Sequence, residues 1–424
     1  MCETSFSLYY HAHFHRPRLT PAFYLVQVSS CPVGTQAATL DIVQAYHCLP
    51  IAPPHKRSLV FHWDDGIFVQ HNAIEGLAPA GGIQGALADA CIAILAHQGI
   101  SPIFKWVDDF VVFRSPRSPN SVASDEISYP YDLDSIFRIT NPLGIPWHSI
   151  SKKGQDFASS FTYLGFHWDL VNRTVAIPSK KRLRAVEKLN SFLDLSSLPS
   201  RRECASLHGT LQHLSFVLRD GRSFLAALSS FLAKFPNNFV RHHPSPSLLC
   251  DMRWWKTVLA HDSLPRSLAP RPRVDPSLFV DASTSFGIGI VVGSRWNAWK
   301  LRDGWKSINR DIGWAETIAL ELAILWLVDT GFNNCSIVVY SDNTGIVGAY
   351  NNGRSRNLER NESLQRTTCT LANSGLTISP VYIASASNLA DAPSRGFFNS
   401  PSHRLPCGFI LPPPLKRWLT SVPL

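Results

Sequence analysis

The sequence predicts a multidomain protein with α/β parts at both ends and a helical part between them. Three observations predict this organisation. The chain has 424 residues, of which 45% are apolar, enough to form two or three hydrophobic cores. In the middle of the chain, apolar residues recur at intervals of three and four, as at Leu207, Leu211, Leu214 and Leu218. From Ser277 to Gly396, strand-like runs alternate with helix-like runs.

The composition narrows the class of protein. The nine cysteines lie far apart and never form a Cys-x-x-Cys pair, which argues against a zinc knuckle and against a disulfide framework. The longest apolar run, Ile318 to Val328, is interrupted by Glu321 and is too short to span a membrane. The first residues hold no apolar stretch that ends in a cleavage site. We therefore expect no membrane span and no secretory signal, and an intracellular protein of the cytoplasm or nucleus.

Positive charge is concentrated in the middle of the chain. The formal net charge is +9, whereas the segment from Val171 to Arg273 alone has 17 Lys/Arg against 6 Asp/Glu, a local net of +11. The rest of the chain is therefore close to neutral. A basic segment between two acid-bearing regions suits an enzyme that binds a polyanion. The alternative is an ordinary solvated helical surface.

Three carboxylates in the first α/β part point to metal chemistry. Asp108 and Asp109 lie between two apolar, strand-like runs, which predicts a hairpin turn because strand interiors exclude Asp. Asp41 ends another strand-like run upstream. Adjacent like charges are costly unless a cation neutralises them. Carboxylates brought together from separate strands can hold the two metals that phosphoryl transfer uses.

These residues lie in segments that resemble the motifs of reverse transcriptases, in the family's order. Asp41–Tyr46 resembles the first palm motif, Gly76–Gly85 the glycine-rich motif before the template-contacting helix, and Trp106–Asp109 the aromatic-x-Asp-Asp motif. Tyr163–Asp169 resembles the Leu-Gly turn of the primer grip, and Leu207–Leu225 resembles a thumb-connection segment of DIRS-like and gypsy-like retrotransposons. The resemblance implies a reverse-transcriptase palm (α+β) followed by a helical thumb or connection.

The resemblance also implies roles for single residues. Asp41 and Asp108 would bind both metals, and Asp109 would assist. Tyr46 would exclude a ribose 2′-OH, or is a packed core residue instead. Lys152 or Lys153 would protonate the leaving pyrophosphate, or is an ordinary loop lysine. The predicted substrate-binding residues are Tyr46, Gly82, Gln84, Lys152, Lys153, Gly165, Arg182 and Arg184.

The C-terminal part carries a second set of carboxylates. They stand at strand ends and helix starts, where they can converge: Asp281, Glu316, Asp342 and Asp391. In order and type they resemble the Asp-Glu-Asp-Asp set of ribonuclease H, and Asn388–Arg395 resembles its retrotransposon version. Glu321 is the alternative to Glu316. Because Glu321 lies five positions further on, about 140° around the helix, the two cannot point the same way. We favour Glu316, which fits the family better because Ala319 and Ala323 fall where its helix carries small residues.

The predicted organisation follows from both resemblances. The boundaries are 1–32 for a shortened fingers region of atypical sequence, 33–170 for the palm, 171–263 for the thumb or connection, 264–276 for a linker, 277–397 for a ribonuclease H-like α/β domain and 398–424 for a Pro-rich tail. Relatives have a long fingers region, whereas 40 residues precede Asp41 here. A stretch with His11, His13 and His15 either binds metal or is an artefact of the start site.

Two residues depart from the family pattern near the nucleotide pocket. Glu75 replaces the usual Phe, and Gly81 replaces the usual Pro. An acid there would repel a triphosphate, and a glycine would loosen the turn by roughly 1 kcal/mol. The hypothesis of a working polymerase therefore has two alternatives, a remnant that binds nucleic acid without polymerising and a chain that retains only the nuclease.

The expected function is RNA-directed DNA polymerisation with ribonuclease H cleavage of RNA in RNA–DNA hybrids. The resemblance implies two Mg²⁺ or Mn²⁺ ions in each active site. The implied partners are an RNA template, a DNA primer, an RNA–DNA hybrid and deoxynucleoside triphosphates. No membrane partner is expected, and the sequence does not indicate the oligomeric state.

Overall fold

The computed structural model describes residues 21–118, 127–194, 198–260 and 265–422. The chain divides into two compact units, residues 1–178 with 264–269, and residues 179–263 with 270–424. The predicted mixed α/β organisation is confirmed, with several sheets and helices in the described residues. The His-rich stretch and most of the predicted 1–32 region lie outside the described residues.

The first unit is built mainly of antiparallel strands. Its elements are α1 (Pro21–Ser30), β1 (Gln36–Asp41), α2 (Pro53–Lys56), β2 (Val60–Trp63), β3 (Gly66–Val69), α3 (Ala80–His97), β4 (Ile103–Trp106), β5 (Asp109–Arg114), α4 (Leu133–Thr140), β6 (Gln155–Ala158), β7 (Ser160–Tyr163), β8 (Phe166–Asp169), β9 (Thr174–Ala176) and β10 (Arg266–Ser267). One sheet has the order β4-β5-β1-β6 and another the order β10-β9-β8-β7, while β2 and β3 form a hairpin.

The core of the first sheet forms between β1, β5 and α3. Alternate residues of β1 and β5, including Leu40 and Phe110, contact buried residues of α3 that recur every three or four positions, including Ala88 and Leu95. α3 is also long and apolar enough to cross a membrane. This is weak evidence for a membrane span, because the core helices of soluble proteins have the same length and composition. The packing fixes the ends of β1 and β5 next to each other, with Asp41 opposite Asp109.

The second unit combines helices with a six-stranded sheet. Its elements are α5 (Ser179–Leu193), α6 (Arg201–Leu214), a 3₁₀ segment (Arg219–Leu225), α7 (Ala226–Leu232), α8 (Pro246–Ala260), β11 (Arg273–Ala282), β12 (Gly287–Val292), β13 (Arg295–Leu301), α9 (Ile312–Asp329), β14 (Ser336–Ser341), α10 (Thr344–Asn352), α11 (Leu358–Ser374), β15 (Thr377–Tyr382), α12 (Asp391–Ser394), α13 (Pro413–Lys416) and β16 (Leu419–Ser421). The sheet order is β15-β14-β11-β12-β13-β16.

The direction of the strands positions the carboxylates of this unit. β14 pairs with β11 and β15 in parallel, whereas β12, β13 and β16 continue the sheet antiparallel. Parallel strands end at the same edge, so Asp281 near the end of β11 and Asp342 after β14 lie at one edge of the sheet. α9 packs on this sheet and is buried along most of its length, because apolar or small residues occupy nearly all of its positions.

Three predicted boundaries change in the structure. β9, inside the predicted thumb, pairs with β8 and belongs to the first unit, as does β10, which lies in the predicted linker. β11 begins at Arg273, also within that linker. The predicted Pro-rich tail is part of the second unit, because β16 pairs with β13 and Leu405, Leu415 and Leu419 are buried in its core. Long-range strand pairing overrides the turn-forming composition on which the linker and tail predictions rested.

A buried ion pair joins two helices of the second unit. Glu321 in α9 has a side chain that is 2% exposed, and it accepts hydrogen bonds from Arg366 Nε at 2.6 Å and Nη2 at 2.8 Å. Ser363 Oγ donates a third, at 2.5 Å. The negative charge of Glu321 is therefore fully compensated from α11, although burial of the charges is costly.

We predict that Glu321→Gln lowers the free energy of unfolding by about 3 kcal/mol, because Arg366 then keeps a partly buried charge without its partner. Urea unfolding measures the change. Glu187→Gln, at an exposed helical position, serves as the matched control and should change stability by less than about 0.5 kcal/mol. Equal effects of the two substitutions would contradict the assignment of Glu321 to a structural ion pair.

Candidate metal centres

The β4–β5 hairpin presents one aspartate in a strained turn and another at the first residue of β5. Trp106 pairs with Asp109, which leaves Val107 and Asp108 as the two turn residues. Val107 has φ +58°, a conformation that is costly for a β-branched residue. Gln84 Nε2, on α3, donates a hydrogen bond to the Val107 carbonyl oxygen at 3.3 Å and helps to hold the turn. The predicted hairpin location of Asp108 and Asp109 is therefore observed in the structure.

Asp41, Asp108 and Asp109 form the first cluster. One oxygen from each carboxylate lies within 4.8 Å of the others. Asp41 is 3% exposed, and its Oδ1 accepts no hydrogen bond from the described residues. Burial raises the pKa of Asp109 to about 7, and the neighbouring Asp41 and Asp108 add to the shift. Three carboxylates that offer hard oxygen ligands, one of which has a buried oxygen without a hydrogen bond, fit a divalent cation.

A lysine and a histidine side chain lie beside Asp41. Lys153 Nζ forms an ion pair with its Oδ2, and His148 Nε2 lies 3.5 Å from its Oδ1. The three aspartates raise the pKa of Lys153, with the contact to Asp41 contributing most. Lys152 is exposed, and its backbone N–H donates to Ser149. Of the two lysines left open by the sequence, the structure therefore places Lys153 at the cluster.

A close backbone approach brings the Lys153 loop to β1. Gly154 has φ +120°, and a Cβ there would lie 2.7 Å from the Thr39 carbonyl oxygen. Only glycine allows this approach. His148 also donates its backbone N–H to the Asp41 carbonyl oxygen at 2.9 Å. We did not single out His148 from the sequence, because its position depends on this loop rather than on a recognisable motif.

The predicted substrate-binding residues of the first unit differ in their surroundings. Tyr46 is half-buried, and its hydroxyl lies 3.9 Å from where a Cβ of Gly81 would be. Gly82 is exposed in the first turn of α3. Gln84 is buried, and its Oε1 accepts no hydrogen bond from the described residues. Gly165 (φ +72°) forms the tight turn between β7 and β8.

The turn at Gly165 is linked to the aspartate hairpin. Tyr163, the last residue of β7, donates its hydroxyl to the Asp109 carbonyl oxygen at 3.0 Å. This bond connects the second sheet of the first unit to the backbone that carries the cluster. A change in the conformation of the β7–β8 turn would therefore alter the position of Asp109.

Asp281, Glu316 and Asp342 form the second cluster. Their carboxylate oxygens lie within 4.8 Å of one another, and Asp281 and Glu316 are buried. Burial raises the pKa of Glu316 to about 9, with smaller contributions from the other two acids. Burial also raises the pKa of Asp281 to about 6. Glu316 Oε2 is buried and accepts no hydrogen bond from the described residues, so this site too fits a divalent cation.

Polar neighbours hold two of these acids in place. Ser394 Oγ donates to Asp281 Oδ2 at 2.5 Å, and Asn388 Nδ2 donates to Asp342 Oδ1 at 3.0 Å. Asn388 Nδ2 also donates to the Val280 carbonyl oxygen at 3.1 Å. The sequence analysis quoted Asn388 and Ser394 within a motif but gave them no role. The motif itself was the available signal for these two positioning residues.

The fourth predicted acid does not join the cluster. Asp391 opens α12 and forms an ion pair with Arg395 at 2.8 Å, and its side chain is 41% exposed. The three-carboxylate set does not include it. The choice between Glu316 and Glu321 is clear in the structure, because Glu316 belongs to the cluster and Glu321 is paired with Arg366.

Arg182 and Arg184, the predicted nucleic-acid contacts of the middle segment, differ in their surroundings. Arg182 Nη1 donates to the carbonyl oxygens of Leu259 and Ala260, at 2.9 and 3.4 Å, and so caps the end of α8. Arg184 is exposed on α5. Part of the hydrogen-bonding capacity of Arg182 is therefore used within the fold.

Comparisons with known proteins give weak similarities. The sequence matches no family model and no curated protein. One similar solved structure is the foamy viral protease-reverse transcriptase in complex with RNA/DNA hybrid, with a TM-score of 0.44 and 15% identity over 91% of this chain and 48% of that one. Another is the foamy viral protease-reverse transcriptase dRH in complex with double-stranded DNA, with a TM-score of 0.44 and 14% identity over 85% and 59%. The chain thus spans about half the length of these proteins.

The raised pKa of Glu316 predicts a pH-dependent stability in the absence of metal. In the unfolded chain Glu316 loses its proton near pH 4.5, whereas in the folded chain it does so at about 9. Between these values the unfolded state binds fewer protons, so raising the pH favours unfolding, by up to about 1.4 kcal/mol per pH unit. Urea unfolding in EDTA at several pH values measures this slope, and Glu316→Gln should flatten it.

The same experiment with Mg²⁺ gives a second readout. A cation requires ionised carboxylates, so added Mg²⁺ should stabilise the wild-type protein more at high pH than at low pH. The assignment of Glu316 to a metal centre would be contradicted if the free energy of unfolding changes with pH equally in wild type and Glu316→Gln, with or without Mg²⁺.

Proposed function

We propose that the protein is an RNA-directed DNA polymerase with an attached ribonuclease H, both acting by two-metal phosphoryl transfer. The observation that carries the proposal is the presence of two separate three-carboxylate clusters, one in each unit, formed by aspartates at or next to strand ends and, in the second cluster, by Glu316 on a helix. Each cluster contains a buried carboxylate oxygen that accepts no hydrogen bond from the described residues. The sequence motifs around both clusters support the same assignment.

In the first unit, Asp41, Asp108 and Asp109 would hold Mg²⁺ or Mn²⁺. When bound, two such cations activate the attacking oxygen and stabilise the leaving group. β1 and the β4–β5 hairpin position the three ligands before any substrate arrives, because Asp41 and Asp109 are register partners. The acids favour the charged form of Lys153, which would donate a proton to the leaving pyrophosphate once its ion pair with Asp41 opens.

In the second unit, Asp281, Glu316 and Asp342 would hold the cations of the nuclease. Ser394 and Asn388 orient two of these acids through the hydrogen bonds described above. Asp391 would take part only after its ion pair with Arg395 opens, because its carboxylate points to that guanidinium. The substrates implied are an RNA template with a DNA primer and deoxynucleoside triphosphates for one site, and an RNA–DNA hybrid for the other.

A nuclease without polymerase activity is the second candidate. The ion pair between Lys153 and Asp41 favours it, because that contact competes with a cation at the first cluster. No lysine or arginine forms an ion pair with Asp281, Glu316 or Asp342 in the described residues. On this reading the palm would bind hybrid without extending it, as the unusual Glu75 also suggests.

Metal binding tests the proposal independently of activity. We expect Mg²⁺ or Mn²⁺ titrated into the metal-free protein, followed by calorimetry, to show two classes of site. Asp41→Asn should remove one class and Asp281→Asn the other. Asp303→Asn, at an exposed turn position, is the control and should change neither class. A wild-type protein that shows only the Asp281-dependent class would favour the nuclease-only candidate, and absence of both classes would contradict the proposal.

A further inference from the structure

An apolar cavity lies in the first unit between α3, the segment after β1 and the segment after α4. Its volume is about 300 Å³, at the lower end of the range of ligand sites. Buried side chains form its floor, among them Ile42, Ala88 and Cys91. Exposed apolar side chains form its rim, where Leu87 is 59% exposed and Leu143 is 49% exposed. The cavity can therefore be reached from solvent.

The cavity walls carry no charged side chain. Cys48 and Cys91 are the only ionisable residues among the described residues that line the cavity. Burial raises the pKa of Cys91 to about 11, and it raises the pKa of Cys48 as well, so both are neutral thiols at neutral pH. Moving a phosphate or another charged group between such walls would be costly. The cavity therefore suits an uncharged molecule and is unsuited to a nucleotide.

Gln84 gives the cavity floor one polar group with unused hydrogen-bonding capacity. It is 3% exposed and lines the cavity, and its Oε1 accepts no hydrogen bond from the described residues. An amide oxygen in this state is costly, because it has lost its contacts with water without gaining a donor. A ligand with one N–H or O–H group would supply that donor.

Two residues of the cavity walls also hold the turn that carries Asp108. Gln84 Nε2 donates to the Val107 carbonyl oxygen at 3.3 Å, and the Ile42 N–H donates to the Asp108 carbonyl oxygen at 3.3 Å. Both distances slightly exceed the usual range, so these hydrogen bonds are weak. Val107, with φ +58°, has a costly conformation that the two bonds help to maintain. A rearrangement of the cavity walls would therefore change the position of Asp108.

We propose that the cavity binds an uncharged, mainly apolar molecule with one N–H or O–H donor, and that its occupation weakens cation binding at Asp41, Asp108 and Asp109. Gln84 Oε1 is buried, so the donor reaches it only when the amide group turns toward the cavity. This rotation takes Nε2 away from the Val107 carbonyl oxygen and releases the strained turn. None of the three aspartates is among the described residues that line the cavity, so the coupling acts between two distinct sites. The coupling rests on the proposed function, because it takes the first cluster to be a metal centre.

Protection of Cys48 from alkylation tests whether the cavity binds such a molecule. Cys48 lines the cavity and is exposed, whereas Cys250 is exposed on α8, outside the cavity, and is the internal control. Indole is the probe, because it is uncharged and has a single N–H donor, which N-methylindole lacks. We expect indole to slow the alkylation of Cys48 by iodoacetamide and to leave the rate at Cys250 unchanged. N-methylindole should need about tenfold higher concentration for the same protection, because one hydrogen bond is lost.

Substitutions in α3 distinguish the cavity from the rest of the surface. Ala90 lines the cavity and is exposed, whereas Ala93 is exposed on the same helix and does not line it. Ala90→Phe fills the cavity and should abolish the protection of Cys48, and Ala93→Phe should preserve it. Gln84→Leu removes the acceptor, so indole should lose its tenfold advantage over N-methylindole, about the effect of one hydrogen bond.

Calorimetry of Mn²⁺ binding tests the coupling without an assay of activity. Indole at saturation should weaken the Asp41-dependent class of sites about fivefold and leave the Asp281-dependent class unchanged. Mn²⁺ should weaken indole binding by the same factor, because coupling between two sites is reciprocal.

The outcomes separate the cavity, the coupling and the proposed function. Equal alkylation of Cys48 with and without indole would overturn the inference, as would protection that Ala93→Phe removes as strongly as Ala90→Phe. Protection of Cys48 with unchanged Mn²⁺ affinity would overturn the coupling. Wild-type protein without an Asp41-dependent class of sites would contradict both the coupling and the proposed function of the first unit, whereas the protection of Cys48 decides independently whether the cavity binds its ligand.

Discussion

Replacing Asp342 by Asn is expected to abolish cleavage of an RNA–DNA hybrid while leaving the fold intact. Asn has the shape of Asp but cannot offer a charged oxygen to a cation. Asp342 is only partly buried and accepts a single described hydrogen bond, from Asn388, so the substitution should cost little stability. Loss of one metal ligand should raise the activation free energy by about 4 kcal/mol, which lowers the rate about a thousandfold.

Gel analysis of a hybrid with a labelled RNA strand measures this effect. Asp303→Asn makes the same chemical change at an exposed turn and should cleave like wild type. Asp391→Asn is an informative comparison, because Asp391 pairs with Arg395 outside the three-carboxylate set. Cleavage by Asp342→Asn within about twofold of wild type would show that this cluster is not the nuclease site.

The double substitution Asp108→Asn/Asp109→Asn is expected to abolish primer extension on an RNA template. Asp108 and Asp109 supply two of the three carboxylates of the first cluster. Removal of both should reduce extension by at least about a thousandfold. Because the pKa of Asp109 is raised to about 7 by burial and by its acidic neighbours, the neutral substitution should also relieve charge repulsion.

Stability provides the control for this variant. We expect urea unfolding of the first unit to show equal or higher stability for Asp108→Asn/Asp109→Asn, since like charges no longer meet at Asp41. The paired substitution Asp64→Asn/Asp65→Asn, in the exposed turn between β2 and β3, should leave extension unchanged. If Asp108→Asn/Asp109→Asn still extends the primer, other residues must carry out the polymerase chemistry.

Much of both sites could be predicted from the sequence, because each depends on local patterns. Asp41, Asp281 and Asp342 follow strand-like runs, and strand ends are where side chains of different strands meet. The preference for Glu316 over Glu321 came from the family resemblance, because Ala319 and Ala323 fall where that helix carries small residues. The structure agrees, with Glu316 in the cluster and Glu321 bound to Arg366.

The sequence could not predict features that depend on contacts between distant segments. Lys152 and Lys153 are adjacent in one loop, and only the approach of Gly154 to β1 decides which of them reaches Asp41. Asp391 satisfies the motif, yet a local ion pair with Arg395 holds it outside the cluster. The last strand, Leu419–Ser421, could not be recognised within the Pro-rich tail, because three residues are too few to show the alternation of apolar and polar residues that is typical of a strand.

The cavity beside α3 was also outside the reach of the sequence. Ile42, Gln84 and Ile145 lie in three separate segments, which come together only in the folded unit. The same limit applies to the middle segment, where the sequence indicated an excess of positive charge. Its interpretation centred on Arg182 and Arg184, whereas Arg182 caps a helix in the structure.

The most direct test of the central claim is a crossed assay of two activities in one chain. Primer extension on an RNA template and cleavage of a labelled RNA–DNA hybrid are measured with Mg²⁺ for wild type, Asp108→Asn/Asp109→Asn and Asp342→Asn. Two independent metal centres predict that the wild type performs both reactions, that the first variant loses extension and keeps cleavage, and that the second loses cleavage and keeps extension. A wild-type protein that performs neither reaction, or a variant that loses both at unchanged stability, would contradict this account.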